Sequence, residues 1–291
     1  MSVATIEVRD LSKIFYDESR GEVRAVDGID FTCTSGEIFG LLGANGAGKT
    51  TTLRMLATIL APSAGTARVL GHEVTADPEA VRRSLGFYSA STALYPRLTA
   101  RETLDFFARI NRYPADQVAA RVESLITRFG LASFAGARID KLSSGMKQKV
   151  SIARTVAHDP PVLIFDEPTV GLDVLNALEM QKVIREFRGE GKTILFSTHI
   201  MSEAEKLCDR IAIIHQGKIR ACDTLAALRE ATGFRYLEDI FVHYVERAEA
   251  GAVAAARGWT PRRSGRSSPP SSAWCCATAA PSSCRSCCRC W

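Results

Sequence analysis

Gly43-Ala44-Asn45-Gly46-Ala47-Gly48-Lys49-Thr50 constrains this chain more than any other stretch, because its spacing, G-x-x-x-x-G-K-[ST], demands one local fold. The residues before it, Glu37-Ile38-Phe39-Gly40-Leu41-Leu42, are apolar enough for a buried strand. After it, Thr51-Thr52-Leu53-Arg54-Met55-Leu56-Ala57 places apolar residues at helical spacing. The motif therefore sits at a strand-to-helix turn. Gly43, Gly46 and Gly48 allow backbone conformations that side chains forbid, so successive N–H groups converge at the positive end of the helix. Such a turn cradles nucleotide phosphates: Lys49 reaches the β- and γ-phosphates, and the Thr50 hydroxyl ligates Mg²⁺. All eight residues, with Thr51 directly after them, form the candidate phosphate site. A glycine-rich turn that binds nothing is the plainer alternative, and it does not account for the full pattern in this setting.

With 291 residues, 24% charged and 46% hydrophobic, the chain has room for one large domain or two small ones around a sizeable core. No apolar run approaches the roughly 18 residues of a membrane span. Residues 1–8 alternate like a strand and carry no leader pattern. The formal net charge of +5 comes from the far end of the chain. Five of the 37 basic residues lie in 258–291, which holds no acid, leaving 32 to face 32 acidic residues in the body. That balance gives a nucleic-acid partner no support. Six of the nine cysteines lie in the same end, and Cys33, Cys208 and Cys222 read as reduced core residues of a cytosolic protein.

Ile6 to Phe31 reads as edge strands around a polar turn at residues 17–21. Phe15, upstream of the phosphate turn, could stack on an adenine ring or pack in the core. Pro62-Ser63-Ala64-Gly65 reads as a turn, and residues 66–71 and 85–89 as short strands. Thr99-Ala100-Arg101-Glu102 is a capping-box start, and Val118, Val122, Leu125, Ile126 and Phe129 fall on one helical face, so residues 90–158 form a mainly helical insertion. Leu142-Ser143-Ser144-Gly145-Met146 is a small polar turn opening a second helix, whose free N–H groups make another potential phosphate site.

Pro161-Val162-Leu163-Ile164-Phe165-Asp166-Glu167 is a buried, parallel-type strand that ends in two acids at its carboxyl end, where open α/β sheets place ligands. Asp166 suits Mg²⁺ coordination and Glu167 suits polarising an attacking water, against a solvated acidic turn as the alternative. Residues 193–199 read as a further buried strand with His199 at its exit; a lone histidine is usually structural, but its place in step with the acidic strand suits contact with a γ-phosphate. Residues 211–220 form a hairpin around Gln216-Gly217.

Together these motifs resemble the ATP-binding subunits of ABC transporters over residues 4 to about 246. Residues 142–146 look like that family's signature loop, Gly171-Leu172-Asp173 follows the acidic strand as in the family, and His199 stands where the family has a switch histidine. The resemblance implies an α/β fold: a P-loop NTPase core with a mainly parallel sheet, an N-terminal antiparallel β subdomain, and the helical subdomain inserted at about 90–158. It implies ATP and Mg²⁺ as cofactors and a mechanism that needs two copies, or a copy and a paralogous ATPase subunit. ATP is then held between the phosphate loop of one subunit and the signature loop of the other. In that arrangement Ser143 and the N–H of Gly145 face the γ-phosphate, and Asp173 helps join the two sites. Lys49, Glu167 and His199 would act in hydrolysis, with Thr50 and Asp166 on the metal. The implied partner is a separate integral-membrane permease, and the implied place is the cytoplasm, peripheral on the inner face of the plasma membrane. Residues 94–99, 144–149 and 196–201 are most similar to the sodium-efflux branch of bacterial exporters.

Two departures from the family stand out. No glutamine occurs between Leu85 and Asp116, where the family has one near Ala90, and Ser144 and Met146 replace a glycine and a glutamine. A non-transport ABC ATPase acting in translation or DNA repair is the alternative, but such relatives carry two cassettes or a long coiled-coil insertion, and this chain has one cassette. A pseudo-ATPase that binds without turnover is a third reading. Residues 247–291 read as an Arg/Ser/Pro/Cys-rich tail, disordered or the product of a frameshift. Cys284, Cys287 and Cys290 have the spacing of zinc ligands, but Cys287 is shared between the two pairs and no histidine is near.

Overall fold

The computed structural model describes residues 4–19, 21–89 and 92–257. The tail from residue 258 on, with its cysteine pairs, lies outside the described residues. So do Ala90 and Ser91, where the glutamine was missed.

β1 (Ala4–Asp17) and β2 (Gly21–Thr34) form an antiparallel ribbon around the polar turn. β3 (Ile38–Leu42) runs into the glycine-rich loop, and α1 (Lys49–Leu56) leaves it. β4 (Ala64–Val69) and β5 (His72–Glu73) complete a sheet ordered β2-β1-β4-β5. Ala64 and Gly65, expected in a turn, already belong to β4. Gly65, at φ +77, presses on the Asp10 backbone where a Cβ has no room, and this lets the strand start two residues early.

Asp77 caps α2 (Pro78–Ser84), which leads into β6 (Leu85–Ser89). Between β6 and β7 (Val162–Asp166) the chain forms α3 (Ala100–Ile110), α4 (Val118–Arg128), a 3-10 turn at Ile139–Lys141 and α5 (Ser144–Thr155). Thr99 and Glu102 make the reciprocal capping box expected of them. α6 (Val174–Gly189), β8 (Thr193–Thr198), α7 (Met201–Leu207), β9 (Arg210–His215) and β10 (Lys218–Asp223) follow, then α8 (Leu225–Thr232) and α9 (Leu237–Arg257). The boundary expected at residue 246 falls inside α9. Leu237 and Ile240 anchor that helix in the core, and its alanine-rich continuation offers no proline to stop it before Arg257.

The second sheet is ordered β10-β9-β3-β8-β7-β6, with β9 through β6 mutually parallel and β10 antiparallel at the edge. β3, β7 and β8 are buried at every position, as strands covered on both faces must be. Leu163, Phe165 and Phe196 face the core shared with α3, α4, α5 and α6. Ile164 and Leu195 point the other way, into the core under α1 and the antiparallel ribbon. Burying each such side chain contributes roughly 2 kcal/mol. The consequence is positional: Leu42 stands opposite Thr198, and Asp166 opposite Ser197, so three strand exits share one edge.

Candidate functional site: the carboxyl edge of the parallel sheet

The loop between β3 and α1 is held by backbone rather than by side chains. Gly43 N–H donates to Thr198 O at 3.3 Å, tying the loop to the exit of β8. Gly48 is the N-cap of α1 at φ +107, a conformation that excludes other residues, and no side chain caps the helix. A Cβ on Gly43 would strike the Ile214 carbonyl, and one on Gly48 the Ala25 carbonyl. The loop therefore leads into a helix start that no side chain caps and that has no acidic residue in its first turn.

Lys49 is 4% exposed, and its Nζ lies 2.8 Å from Gly43 O, 3.1 Å from Ala44 O and 3.1 Å from Glu167 Oε1. A buried ammonium on such partners is a cation waiting for a stronger anion. Ala25, Asn45, Gly46, Gly48, Lys49, Thr50, Thr51 and Glu167 line a cavity of about 310 Å³. Ala47, within the same loop, is buried and passes its carbonyl backward, to the N–H of Gly217.

At the exit of β7, Asp166 is buried, and its Oδ1 accepts from Thr50 Oγ1 at 3.1 Å and from Ser197 Oγ at 2.8 Å. Glu167 adopts φ +48, which costs a non-glycine residue about 1 kcal/mol. Its N–H donates to Ser197 O and Oγ, at 3.2 and 3.0 Å, and these bonds hold it there. The turn aims the Glu167 carboxylate at Lys49 and at His199, whose Nδ1 is 3.3 Å from the same Oε1. Burial pushes the Glu167 carboxyl up, but Lys49 and then His199 outweigh it and hold it below the usual range, so it is ionised at neutral pH.

The structure thus brings Lys49, Thr50, Asp166, Glu167 and His199 together around the phosphate loop, and leaves Ser143, Gly145, Asp173 and Phe15 apart from it. Ser143 is exposed and caps α5, its Oγ accepting from Met146 N–H at 3.3 Å. Gly145 lines a separate cavity of about 340 Å³ with Gln148, Leu172 and Asn176. Asp173 is exposed and caps α6 through Asn176 N–H at 2.9 Å; that bond holds its carboxyl low. Phe15 is 40% exposed on β1 opposite Val23, with Lys13 Nζ 5.3 Å from its ring centroid, and is not among the residues lining the phosphate cavity. Sequence reasoning passed over Ser197, Ala25 and Gln148. Ser197 had a signal, a hydroxyl one step from the exit of a wholly buried strand. Gln148 Nε2 donates to Pro168 O at 2.8 Å and ties α5 to the turn after Glu167.

These residues fit a magnesium-bound nucleoside triphosphate. Mg²⁺ takes one or two oxygen ligands from protein and leaves the rest to phosphates and water, and Thr50 Oγ1 beside Asp166 Oδ1 is such a pair. The uncapped loop and the buried Lys49 supply donors and positive charge for phosphate.

A family model described as ABC transporter matches residues 26–170. The chain is 40% identical over 243 residues to "ABC transporter ATP-binding protein NatA" of Bacillus subtilis, spanning 83% of this chain and 98% of that protein. The chain belongs to the ATP-binding subunits of ABC transporters. It is also 36% identical to the daunorubicin/doxorubicin resistance ATP-binding protein DrrA of Streptomyces peucetius, over 86% of this chain and 74% of that one. A solved ATP-binding subunit of an ABC transporter superposes with a TM-score of 0.75 at 31% identity, covering 82% of this chain and 99% of its own. A dimeric ATP-binding cassette bound to ADP and Pi shares the fold at a TM-score of 0.69 and 23% identity, over 76% of this chain and 98% of its own. As a member of the ABC family the chain is an ATP-binding subunit that serves a membrane permease. Among the described residues no helix is long and apolar enough to cross a membrane.

Proposed function

We propose that this ABC subunit hydrolyses ATP with Mg²⁺ and couples the reaction to export through a separate integral-membrane permease, from the cytoplasmic, inner face of the plasma membrane. The observation that carries this reading is the buried Lys49 ammonium shared between the phosphate loop and Glu167. Bound Mg·ATP supplies the electrophilic phosphorus and a counter-charge for its oxygens. Within the chain, Lys49 and the amides of residues 43–51 clamp phosphate, and Thr50 and Asp166 hold the metal. Glu167 accepts a hydrogen bond from water and orients it, and His199 steadies Glu167 and reaches the γ-phosphate. Phe15 stacks on adenine from the ribbon that also carries Ala25.

The working form is an ATP-dependent pair, of this chain with itself or with a paralogous subunit. Ser143, Gly145 and Asp173 of one protomer complete the site of the other. The exposure supports this: Val174 and Leu175, directly after Asp173, are each 75% exposed, an apolar surface that a partner would cover. Sodium is the proposed cargo, on the segments at 94–99, 144–149 and 196–201 that resemble the sodium-efflux branch. The purified chain is expected to release phosphate from Mg·ATP, and the complex drawn from membranes to contain a permease. Phosphate release at the background rate would leave the pseudo-ATPase reading instead. ATP-driven sodium uptake by inverted vesicles carrying the complex tests the cargo; vesicles that hydrolyse ATP without taking up sodium remove it.

A further inference from the structure

The turn between β9 and β10 lies outside the phosphate cavity, yet it grips the loop from behind. Gly217 N–H donates to Ala47 O inside the loop at 2.9 Å, and Gly217 O accepts from Asp27 N–H, also at 2.9 Å. Gly217 holds φ +73, and a Cβ there would stand 3.0 Å from Ala25 O, so the turn sits flush on β2. Lys218 Nζ closes the contact, 3.1 Å from Asp27 Oδ2, with Arg24 3.4 Å from the other oxygen. The Lys218 hydrogen bond holds the Asp27 carboxyl below its ordinary range. The carbonyl of Ile214 fills the space beside Gly43, and that of Ala25 the space beside Gly48. The loop's two ends are thus fixed by β9 and β2, and its middle by Gly217.

We infer that Gly217, with the Asp27–Lys218 pair locking it to β2, is a brace that sets the curvature of the phosphate loop and hence its affinity for a nucleoside triphosphate. The inference rests on the loop being the nucleotide site. An amide cradle binds phosphate only while its N–H groups converge, and the Gly217 N–H holds the middle carbonyl of this one from outside, beside the Gly43 bond to Thr198 at its start. None of the three brace residues touches the cavity, so they act on binding through the loop and not on the reacting atoms.

The test measures Mg·ATP affinity, KM, kcat and the melting midpoint for wild type, Lys218→Ala, Lys218→Arg and Gly217→Ala. Lys218 and Asp27 are partly exposed, so Lys218→Ala leaves the fold intact. It is expected to raise the Kd and KM about three-fold, with kcat at saturation and the midpoint unchanged, and Lys218→Arg is expected to restore affinity. Gly217→Ala, strained at positive φ, is expected to raise them about ten-fold. Wild type that binds ATP alongside Lys218→Ala and Gly217→Ala chains of equal affinity overturns the brace alone. So does a fall in kcat without a rise in KM, or an affinity loss that Lys218→Arg does not restore. Wild type that fails to bind Mg·ATP overturns the nucleotide site itself, and the brace with it.

Discussion

α1 and α5 both begin at turns of small residues, and they begin in opposite ways. α1 starts on Gly48 with no side-chain cap, over a cavity lined by its own chain, with a buried lysine already inside. α5 starts on an exposed Ser143 that caps its own helix, and nothing lies within 4 Å of where a Gly145 Cβ would stand. The first helix start is a site walled on several sides. The second is a surface. A walled cradle at one helix start and an outward-facing turn at the other are what the proposed pair requires, and each prediction below strikes at that asymmetry.

The largest effect belongs to Glu167→Gln. The variant is expected to bind Mg·ATP while phosphate release falls about 10³-fold, because the amide cannot take the carboxylate's part in orienting water. Equal turnover would remove the base from the account. Lys49→Ala comes next, with an expected loss of about 10²-fold or more in kcat/KM as the loop's one buried cation disappears and Glu167 loses its partner. Normal ATP binding by that variant would break the comparison at the α1 end. At the α5 end, Gly145→Asp puts a negative charge where the account needs a donor, in space the fold leaves open. Turnover is expected to fall some tens of fold, while the isolated chain binds ATP as before. A parallel loss of affinity in the isolated chain would mean that both turns serve one site in one molecule.

The smallest effect concerns the far end of α5, which is clamped as firmly as its start is free. Arg121 donates to the Val156 and Ala157 carbonyls, and Asp159 pairs with Arg121 and Lys192. Between them burial, with the Arg121 charge adding to it, pushes the His158 imidazole down to about 4. The unfolded chain, titrating near 6.5, then binds more protons than the folded one between those values. Stability is therefore level above pH 6.5, and about 1 kcal/mol is lost by pH 5.5, with a further decline toward pH 4. Chemical denaturation of His158→Phe against wild type measures this, and the variant's profile is expected to be flatter over that window.

Much of this was legible in the sequence because the strands concerned are buried on both faces. Wholly apolar runs such as 162–165 can end only where polar side chains emerge, so Asp166, Glu167 and His199 mark strand exits by their letters alone. The glycine spacing located the loop for the same reason: only glycine meets the φ of Gly46 and Gly48. What the letters did not carry is lateral. That Ser197 bonds Asp166, that Ala25 walls the cavity, and that Gly217 holds Ala47 depend on which strands become neighbours, and strand order is not written in any one segment. The extent of α9 was missed for another reason, since an alanine- and arginine-rich stretch reads as low complexity whether or not a core anchors its start.

The central claim is that this chain supplies one half of a shared site. Light scattering on Glu167→Gln with and without saturating Mg·ATP tests it most directly. The account predicts one chain's mass without nucleotide and twice that mass with it, falling back when Gly145→Asp is added to the same chain. A single chain's mass under both conditions, with ATP shown to be bound, would contradict it.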